Sequence, residues 1–233
     1  DESESRGLGD VYKRQGHDHA YNIVSTQDGG LFFNGFLDVT ASNGAGMDRK
    51  KSNKGQKHGV GEFWCHKLDG NGILQWRRYF GGTSNDRSYD AIETLEGDFV
   101  IVGSSESQDV DVSNPRGSYD AWIVKTNSKG DLLWERSIGG SAYDIAHAII
   151  ENRKGEYVVL GQSFSQDRDI EKPLGSSDMF LSILSPSGEL KSSKNIGNKG
   201  FDTGKALIER PDGTLILLGL SLIHISEPTR LGF

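Results

Sequence analysis

The sequence has little cysteine, no excess of basic residues and no long apolar run. Its 233 residues include one cysteine, Cys65, which excludes an internal disulfide framework. Acidic residues outnumber basic ones by 33 to 26, so a nucleic-acid backbone is not expected as the main partner. No apolar run approaches the roughly 20 residues of a membrane-spanning helix. The sequence also lacks a Ser-His-Asp order, a phosphate-binding glycine loop and an H-E-x-x-H motif.

Glycine and short apolar runs are abundant instead. The chain has 31 glycines, and its apolar runs, such as FVIVG, YVVLG and LILLG, are rich in β-branched and aromatic residues. Residues of this kind favour extended, pleated backbone, and short runs bounded by turn residues are typical of strands. The composition therefore predicts an all-β protein.

The chain repeats with a period of 58 residues. Residues 81–138 and 139–196 align from one Gly-Gly pair to the next, and Asp86, Asp144 and Asp202 occupy the same repeat position. Residues 16–80 are predicted to be the same unit with an insertion, and residues 197–219 a fourth unit cut off after its second strand. An internal period of this length indicates a repeat architecture.

Each complete unit predicts four strands, exemplified by YDAIETL, DFVIVGS, DAWIVKT and LLWERSI. Turns such as LEGD and NSKG join the first strand to the second and the third to the fourth. Glycine and short polar residues of this kind are typical of β-hairpin turns. Four antiparallel strands per unit predict a partial β-propeller. A right-handed β-helix is the alternative, although its coils are shorter and lack paired hairpins.

These repeats resemble a known family. The pattern from GG through GDFVIVG, SQDVDVS, SYDAWIVK and LLWERSIGG is similar to the tandem propeller repeats of large secreted and surface-anchored bacterial proteins. Many of those proteins are lipoproteins or cargo of the type-nine secretion route, and some carry the label endoglucanase. The resemblance implies an extracytoplasmic location, secreted or at the cell surface, and it brings no shared catalytic motif.

The two ends of the sequence do not fit the repeat. Residues 1–15 and 220–233 stand outside the repeat, and residues 2–15 can be written as the antisense translation of residues 220–233, codon by codon from Gln15 with Leu220 to Glu2 with Phe233. The implied DNA resembles the transposase adapter of tagmentation sequencing libraries. Both segments are therefore predicted to be translated adapter DNA, which is set aside in reasoning about the fold.

Aspartates are the main candidates for a binding face. Asp18, Asp86, Asp144 and Asp202 begin successive units, where the chain crosses from one predicted blade to the next. One interpretation is a ring of carboxylates around a central channel. The other is that each carboxylate accepts hydrogen bonds from backbone N–H groups in the glycine-rich crossing.

Two Asp-x-Asp pairs lie in the long loops between the second and third strands. They are Asp109 with Asp111, and Asp167 with Asp169. Carboxylates at this spacing can share a hard cation through oxygen ligands, so Ca2+ is a candidate ligand of all four. The chain has no complete twelve-residue calcium loop, and turn formation by the same side chains is the competing interpretation.

Other polar and aromatic candidates are weaker. The pair His17 and His19 has Asn85 and Arg87 at the equivalent positions, which does not favour a metal site. The basic insertion at residues 47–59 is expected to be a solvated loop, with an anionic glycan or a neighbouring domain as the alternative contact. Cys65 is expected to be a small buried residue, and the repeated tryptophans to pack between blades.

The sequence thus predicts a non-catalytic binding or scaffold module of a larger secreted or cell-surface bacterial protein. A protein or a glycan at the cell surface is the expected partner. The alternative is the propeller part of a carbohydrate-active enzyme of the glycoside hydrolase type. Such enzymes need a carboxylate pair at a defined separation, and the repeats contain many carboxylates without distinguishing a pair.

Overall fold

The computed structural model describes residues 19–38, 61–170, 173–221 and 229–231. These residues form strands and connecting turns, without a helix. The strands are β1 (His19–Ser25), β2 (Leu31–Asp38), β3 (Gly61–Leu68), β4 (Leu74–Phe80), β5 (Asp86–Glu93), β6 (Phe99–Ser105), β7 (Asp120–Thr126), β8 (Leu132–Ile138), β9 (Asp144–Glu151), β10 (Tyr157–Ser163), β11 (Asp178–Leu184), β12 (Leu190–Ile196), β13 (Asp202–Glu209), β14 (Leu215–Ser221) and β15 (Thr229–Leu231).

The strands form successive antiparallel sheets in sequence order. Three sheets have four strands each, β1 to β4, β5 to β8 and β9 to β12, and a fourth contains β13, β14 and β15. This up-and-down order confirms the predicted fold class, an all-β partial β-propeller of four-stranded blades. The β-helix alternative is wrong because each unit is made of paired hairpins. Strand β15 lies within residues 220–233, whose origin in adapter DNA stays a prediction.

Tight turns join the first strand to the second and the third to the fourth in each complete sheet. In the first of them, Gly29 N donates to Thr26 O at 2.9 Å, and Thr26 N donates to Gly30 O at 3.0 Å. Gly29 has a φ of +78°, in the left-handed region that side chains with a Cβ avoid. The same conformation recurs in the later turns, at Gly72, Gly97, Gly130, Gly155, Gly188 and Gly213. The glycines of the repeat therefore mark the hairpins.

The chain divides into two compact units. Among the described residues, one contains residues 19–38, 61–101, 107–113 and 124–133, and the other contains residues 102–106, 114–123, 134–170, 173–221 and 229–231. In the first unit, the ring of Phe32 stacks on that of Phe99, with centroids 4.4 Å apart. This contact joins β2 to β6, and a hydrogen bond from Asn34 Nδ2 to Ser88 Oγ at 3.0 Å joins β2 to β5.

In the second unit, the third sheet packs face to face on the fourth. The buried side chains between them come from both sheets: Ala148, Val158, Leu160, Leu181, Leu207, Leu215 and Leu217. Strand β10 is covered on both faces, since Tyr157, Val158, Val159 and Leu160 are all buried. Continuous burial of consecutive residues is typical of strands in stacked sheets. No helix in the described residues is long and apolar enough to cross a membrane.

Candidate functional site

The predicted site aspartates lie where the chain enters each new sheet. Asp86 is the first residue of β5 and is fully buried. Its Oδ2 accepts hydrogen bonds from Gly82 N and from Ser107 Oγ, both at 2.8 Å. The bond from Gly82 closes the glycine-rich crossing, and the bond from Ser107 ties the long loop after β6 to it.

The same arrangement recurs 58 residues later around Asp144, the first residue of β9. Its Oδ2 accepts from Gly140 N and from Ser165 Oγ, again at 2.8 Å each, and its Oδ1 accepts from Ser163 Oγ. Asp202, the first residue of β13, accepts from Asn198 N at 2.7 Å. The carboxylate at this repeat position therefore organises the local backbone in each described copy.

The Asp-x-Asp pair of the first long loop fastens that loop to the crossing. Asp109 accepts hydrogen bonds from the backbone N and the hydroxyl of Thr83, both at 2.8 Å. Asp111 N donates to Gly81 O at 3.0 Å, and Asp111 Oδ2 accepts from Gly81 N at 3.4 Å. The intervening Val110 has a φ of 57°, so the loop turns sharply between the two aspartates.

The second pair repeats this geometry. Asp167 Oδ1 accepts from Ser141 N at 2.7 Å, and Asp169 Oδ2 accepts from Gly139 N at 3.4 Å. Arg168, between them, has a φ of 59°. Asp169 also forms an ion pair with Arg116, with Oδ2 and Nε 3.3 Å apart.

All four carboxylates of the Asp-x-Asp pairs thus accept hydrogen bonds from backbone N–H groups. Within the described residues, no group of three or more His, Cys, Asp or Glu side chains is placed to hold a metal ion. Calcium binding at Asp109, Asp111, Asp167 and Asp169 stays a prediction. It requires the thermal midpoint of the protein to rise in millimolar Ca2+, because a ligand that binds only the folded state stabilises it.

A second set of buried carboxylates faces the first and was missed in the sequence. Glu62, Asp120 and Asp178 lie at the start of β3, β7 and β11, at intervals of 58 residues. A Cβ added at Gly81 would lie 2.4 Å from both Glu62 Oε2 and Asp86 Oδ2. The carboxyl group that begins each third strand is therefore adjacent to the aspartate that begins the next sheet. The repeat period was the available signal for this set.

The pair formed by Asp120 and Asp144 is electrostatically strained. Burial raises the pKa of Asp120 to about 6, and the neighbouring carboxylate of Asp144 adds to this effect. Arg116 N donates to Asp120 Oδ2 at 2.5 Å and opposes it. Among the described residues, none donates a hydrogen bond to Asp120 Oδ1. Burial also raises the pKa of Asp144, against its bond from Ser163.

The pair formed by Asp178 and Asp202 has the same character. Leu174 N donates to Asp178 Oδ2 at 2.6 Å, and no described residue donates to Oδ1. Burial raises the pKa of Asp178, and the Asp202 carboxylate adds to the shift. A buried carboxyl group next to a second carboxylate, as Asp178 is, favours the uptake of a proton.

Aromatic side chains form a continuous line at the crossing end of the second unit. We call this line the aromatic row; it consists of Tyr119, Tyr143, Phe164 and Phe201. Successive ring centroids are 4.9, 6.1 and 6.2 Å apart, and adjacent rings are tilted by 55° to 69°. This row was missed in the sequence, because its residues come from two crossings and two other connections.

The remaining candidates have structural contacts or lie outside the described residues. Cys65 is buried in β3, and burial raises the pKa of its thiol, which disfavours a nucleophilic thiolate. Trp76 Nε1 donates to Ser128 O at 2.9 Å, and Trp134 Nε1 donates to Pro186 O at 3.1 Å. His17, Asp18 and the basic insertion at residues 47–59 lie outside the described residues.

An open depression lies beside the turn between β7 and β8. It has a volume of about 590 Å³ and is lined by Gln75, Trp76, Arg78, Ser128 and Lys129. None of these residues is among the predicted site residues.

Comparison with known proteins gives structural likeness at low identity. No family model matches the sequence, and no curated protein matches it. A protein of unknown function from Bacteroides caccae is 13% identical with a TM-score of 0.49; the alignment covers 92% of this chain and 61% of that one. The chain therefore spans about three fifths of that protein.

Two enzymes of known structure also align. One is CoXyl43, a GH43 β-xylosidase/α-arabinofuranosidase from a compost microbial metagenome, at 12% identity and a TM-score of 0.46, covering 86% of this chain and 70% of the enzyme. The other is MPT-4, a mannose phosphorylase from Leishmania mexicana, at 12% identity and a TM-score of 0.43, covering 85% and 62%. Likeness at this level carries no inference about activity.

Proposed function

We propose that this chain is a non-catalytic binding or scaffold module, part of a β-propeller in a larger bacterial protein that is secreted or held at the cell surface. The observation that carries the proposal is the repetition of the aspartate contacts. Asp86 and Asp144 accept corresponding hydrogen bonds at the same lengths, 2.8 Å from the glycine N–H and 2.8 Å from the serine hydroxyl.

This repetition argues for a structural role of the carboxylates. A catalytic centre uses a few groups that surround one substrate. Their different environments give the acid and the base different pKa values. Here the aspartates that begin successive sheets recur from one repeat to the next, and so do the groups that donate hydrogen bonds to them. Their hydrogen bonds go to the backbone of their own connections, which fixes loops on the sheets, as a scaffold for binding requires.

The location and the partner class are inferred from the sequence. The resemblance of the repeats to those of surface-anchored and secreted bacterial proteins supports an extracytoplasmic location, by a lipid anchor or by the type-nine route. A formal net charge of −7 disfavours polyanionic partners, since like charges repel. A glycan or a protein at the cell surface is the partner class that remains.

One observation favours the alternative, a carbohydrate-active enzyme. Asp120, with a pKa raised to about 6 beside the carboxyl group of Asp144, is electrostatically suited to act as a general acid. However, Asp120 is 2% exposed and Asp144 is completely buried. A glycosidic bond reaches neither group unless the crossing moves, which is why we place this function second.

A turnover screen separates the two functions. The purified chain is incubated with a panel of neutral and acidic polysaccharides, and reducing ends are measured alongside retention of the protein on the same polymers. The proposal expects retention or no interaction, with no release of reducing ends. Turnover that disappears in Asp120→Asn or Asp144→Asn, while the unfolding midpoint is retained, would overturn it in favour of the enzyme.

A further inference from the structure

We infer that the aromatic row of Tyr119, Tyr143, Phe164 and Phe201 is a binding site for a neutral glycan. This inference rests on the proposed binding function and names its ligand class. It starts from a difference between repeats. Residues that stay the same in each blade serve the scaffold, whereas residues that change at one end of the blades are free to serve recognition.

The row is such a difference. Tyr143 and Phe201 occupy the crossing position that holds Asn85 in the preceding unit. Tyr119 occupies the position of Gly61, and Phe164 that of Glu106. The crossing near Gly61 and Asn85 still forms the corresponding parallel bridge, so the backbone does not need aromatic side chains there.

The backbone under the row is firmly held. Tyr119 and Tyr143 form an isolated parallel bridge, and Asp144 N donates to Tyr119 O at 2.8 Å. Phe164 N donates to Tyr143 O at 2.9 Å, which joins the loop after β10 to the same crossing. Rings on hydrogen-bonded backbone lose little conformational freedom on binding, so more of the contact free energy appears as affinity.

The rings are accessible at one end of the unit. Tyr143 is 36% exposed and Phe201 is 46% exposed, although both are large aromatic side chains. Exposed aromatic surface that is continuous, rather than scattered, marks interaction sites. Aromatic faces carry partial negative charge and attract the C–H groups that line one side of a pyranose ring.

Polar groups beside the row suit hydroxyl groups. Tyr119 donates its hydroxyl to Glu106 Oε2 at 2.9 Å, and Gln162 Nε2 donates to Ser177 Oγ at 2.9 Å. A carboxylate and an amide beside aromatic rings supply the acceptors and donors that orient a polyhydroxylated ligand. The carboxylate of Glu106 repels an anionic glycan, and this leaves a neutral one.

The test replaces residues of the row by the residue that another repeat of the same chain has at the equivalent position. Tyr143→Asn and Phe201→Asn give each crossing the residue found at Asn85, so both are expected to fold. Leu95→Ala, at an 82% exposed position in the turn between β5 and β6, is the control. Affinity electrophoresis in xylan, mixed-linkage β-glucan and mannan, with equal urea midpoints checked first, measures binding.

The expected result is retardation of the wild-type chain by at least one of these polymers. The double variant should bind about tenfold more weakly, because loss of aromatic contacts worth about 1.4 kcal/mol changes Kd by that factor. The control should be unchanged. Equal retardation of wild type and double variant would overturn the site while leaving the binding function intact.

Two further outcomes also overturn the inference. If the wild type binds none of the three polymers but binds polylysine with a loss in the double variant, the row recognises cations through their attraction to aromatic faces. If the wild type binds neither, the row is a packing feature of the sheets. In both cases the proposed function is judged separately, by the turnover screen.

Discussion

The third and fourth sheets present the same apolar face at the same repeat positions, but only the face of the third is covered. Val158 and Leu160 are completely buried against side chains of β13 and β14. One repeat later the equivalent positions hold Ile216 and Leu218, and Leu218 is 61% exposed. Ile208, equivalent to the partly buried Ile150, is 58% exposed.

This difference shows that the apolar residues on the face of one repeat are suited to burial against the adjacent repeat. Each sheet stabilises the molecule only to the extent that another sheet removes its face from water. Substitutions at matched positions on the covered and the uncovered face can therefore break or sharpen this comparison.

The largest effect is expected from shortening matched leucines on the two faces. Leu160→Ala should lower the free energy of unfolding by about 2–5 kcal/mol, because it removes buried contacts and leaves a cavity. Leu218→Ala should change it by less than about 0.5 kcal/mol, because its side chain is already in water. Urea unfolding of the two variants measures both. Equal losses would mean that the fourth sheet is covered in solution.

The second effect concerns proton binding at Asp120, the first residue of β7, next to Asp144 at the start of the third sheet. The pKa of Asp120 is about 6 in the folded chain and near 3.8 when unfolded, so its contribution to stability is full below pH 3.8 and is lost as the pH rises through 6. Asp120→Asn should remove this loss and stabilise the protein at pH 7 by about 2 kcal/mol.

Unfolding midpoints of wild type and Asp120→Asn between pH 4 and pH 8 measure this difference. The two profiles should diverge as the pH rises. Parallel profiles would show that Asp120 titrates normally. Asp131→Asn is a suitable control, since Asp131 lies in the turn between β7 and β8 with its side chain largely exposed.

The third effect comes from His147, whose repeat equivalent on the next sheet is Lys205. Lys205 Nζ lies 3.0 Å from His147 Nε2, and burial together with this cation lowers the pKa of His147 to about 4. A lowered histidine pKa stabilises the fold above about pH 6.5 and loses that contribution as the pH falls toward 4. The free energy of unfolding should therefore fall by about 1–2 kcal/mol less in His147→Gln than in the wild type as the pH is lowered from 6.5 to 4.

Asp120 and His147 act in opposite directions over almost the same pH range. The wild-type profile between pH 4 and 6.5 is therefore expected to be flatter than that of either variant. Thermal midpoints of the two single variants and the double variant measure this compensation. A wild-type profile steeper than both single variants would contradict it.

The smallest effect on stability, with a clear effect on association, is expected at the uncovered face. The uncovered face of the fourth sheet is apolar, like the face of the third sheet that β13 and β14 cover. It should therefore associate with an apolar surface on another molecule. Leu218→Lys should leave the unfolding midpoint nearly unchanged and lower the apparent molar mass at high protein concentration. Sedimentation velocity at several concentrations measures it, with Thr214→Lys as the control.

The fold could be predicted from the sequence because its signals are local and repeated. Gly97, Gly155 and Gly213 mark equivalent hairpin turns, and the runs around Phe99 and Tyr157 are apolar at consecutive positions. Each signal predicts a strand or a turn within a few residues, and the period carries the assignment from one unit to the next.

The site was harder to predict because its contacts join separate connections. The adjacency of Asp120 and Asp144 depends on how one sheet follows another, which residue spacing alone does not give. The aromatic row was missed for a second reason. Tyr119 and Phe164 stand where the preceding repeat has Gly61 and Glu106, so alignment of the repeats shows no shared residue at these positions. The candidate aspartates were found because they recur.

The loop between the two aspartates of each Asp-x-Asp pair has a practical consequence. Val110 and Arg168 share a φ within a few degrees of 58°, although one side chain is β-branched and buried and the other is long and exposed. The flanking hydrogen bonds hold this backbone shape for both side chains. At position 168, where the side chain is exposed, a protein engineer can therefore exchange the residue and display chosen chemistry on a loop whose backbone stays the same, whereas the buried position 110 calls for an apolar residue.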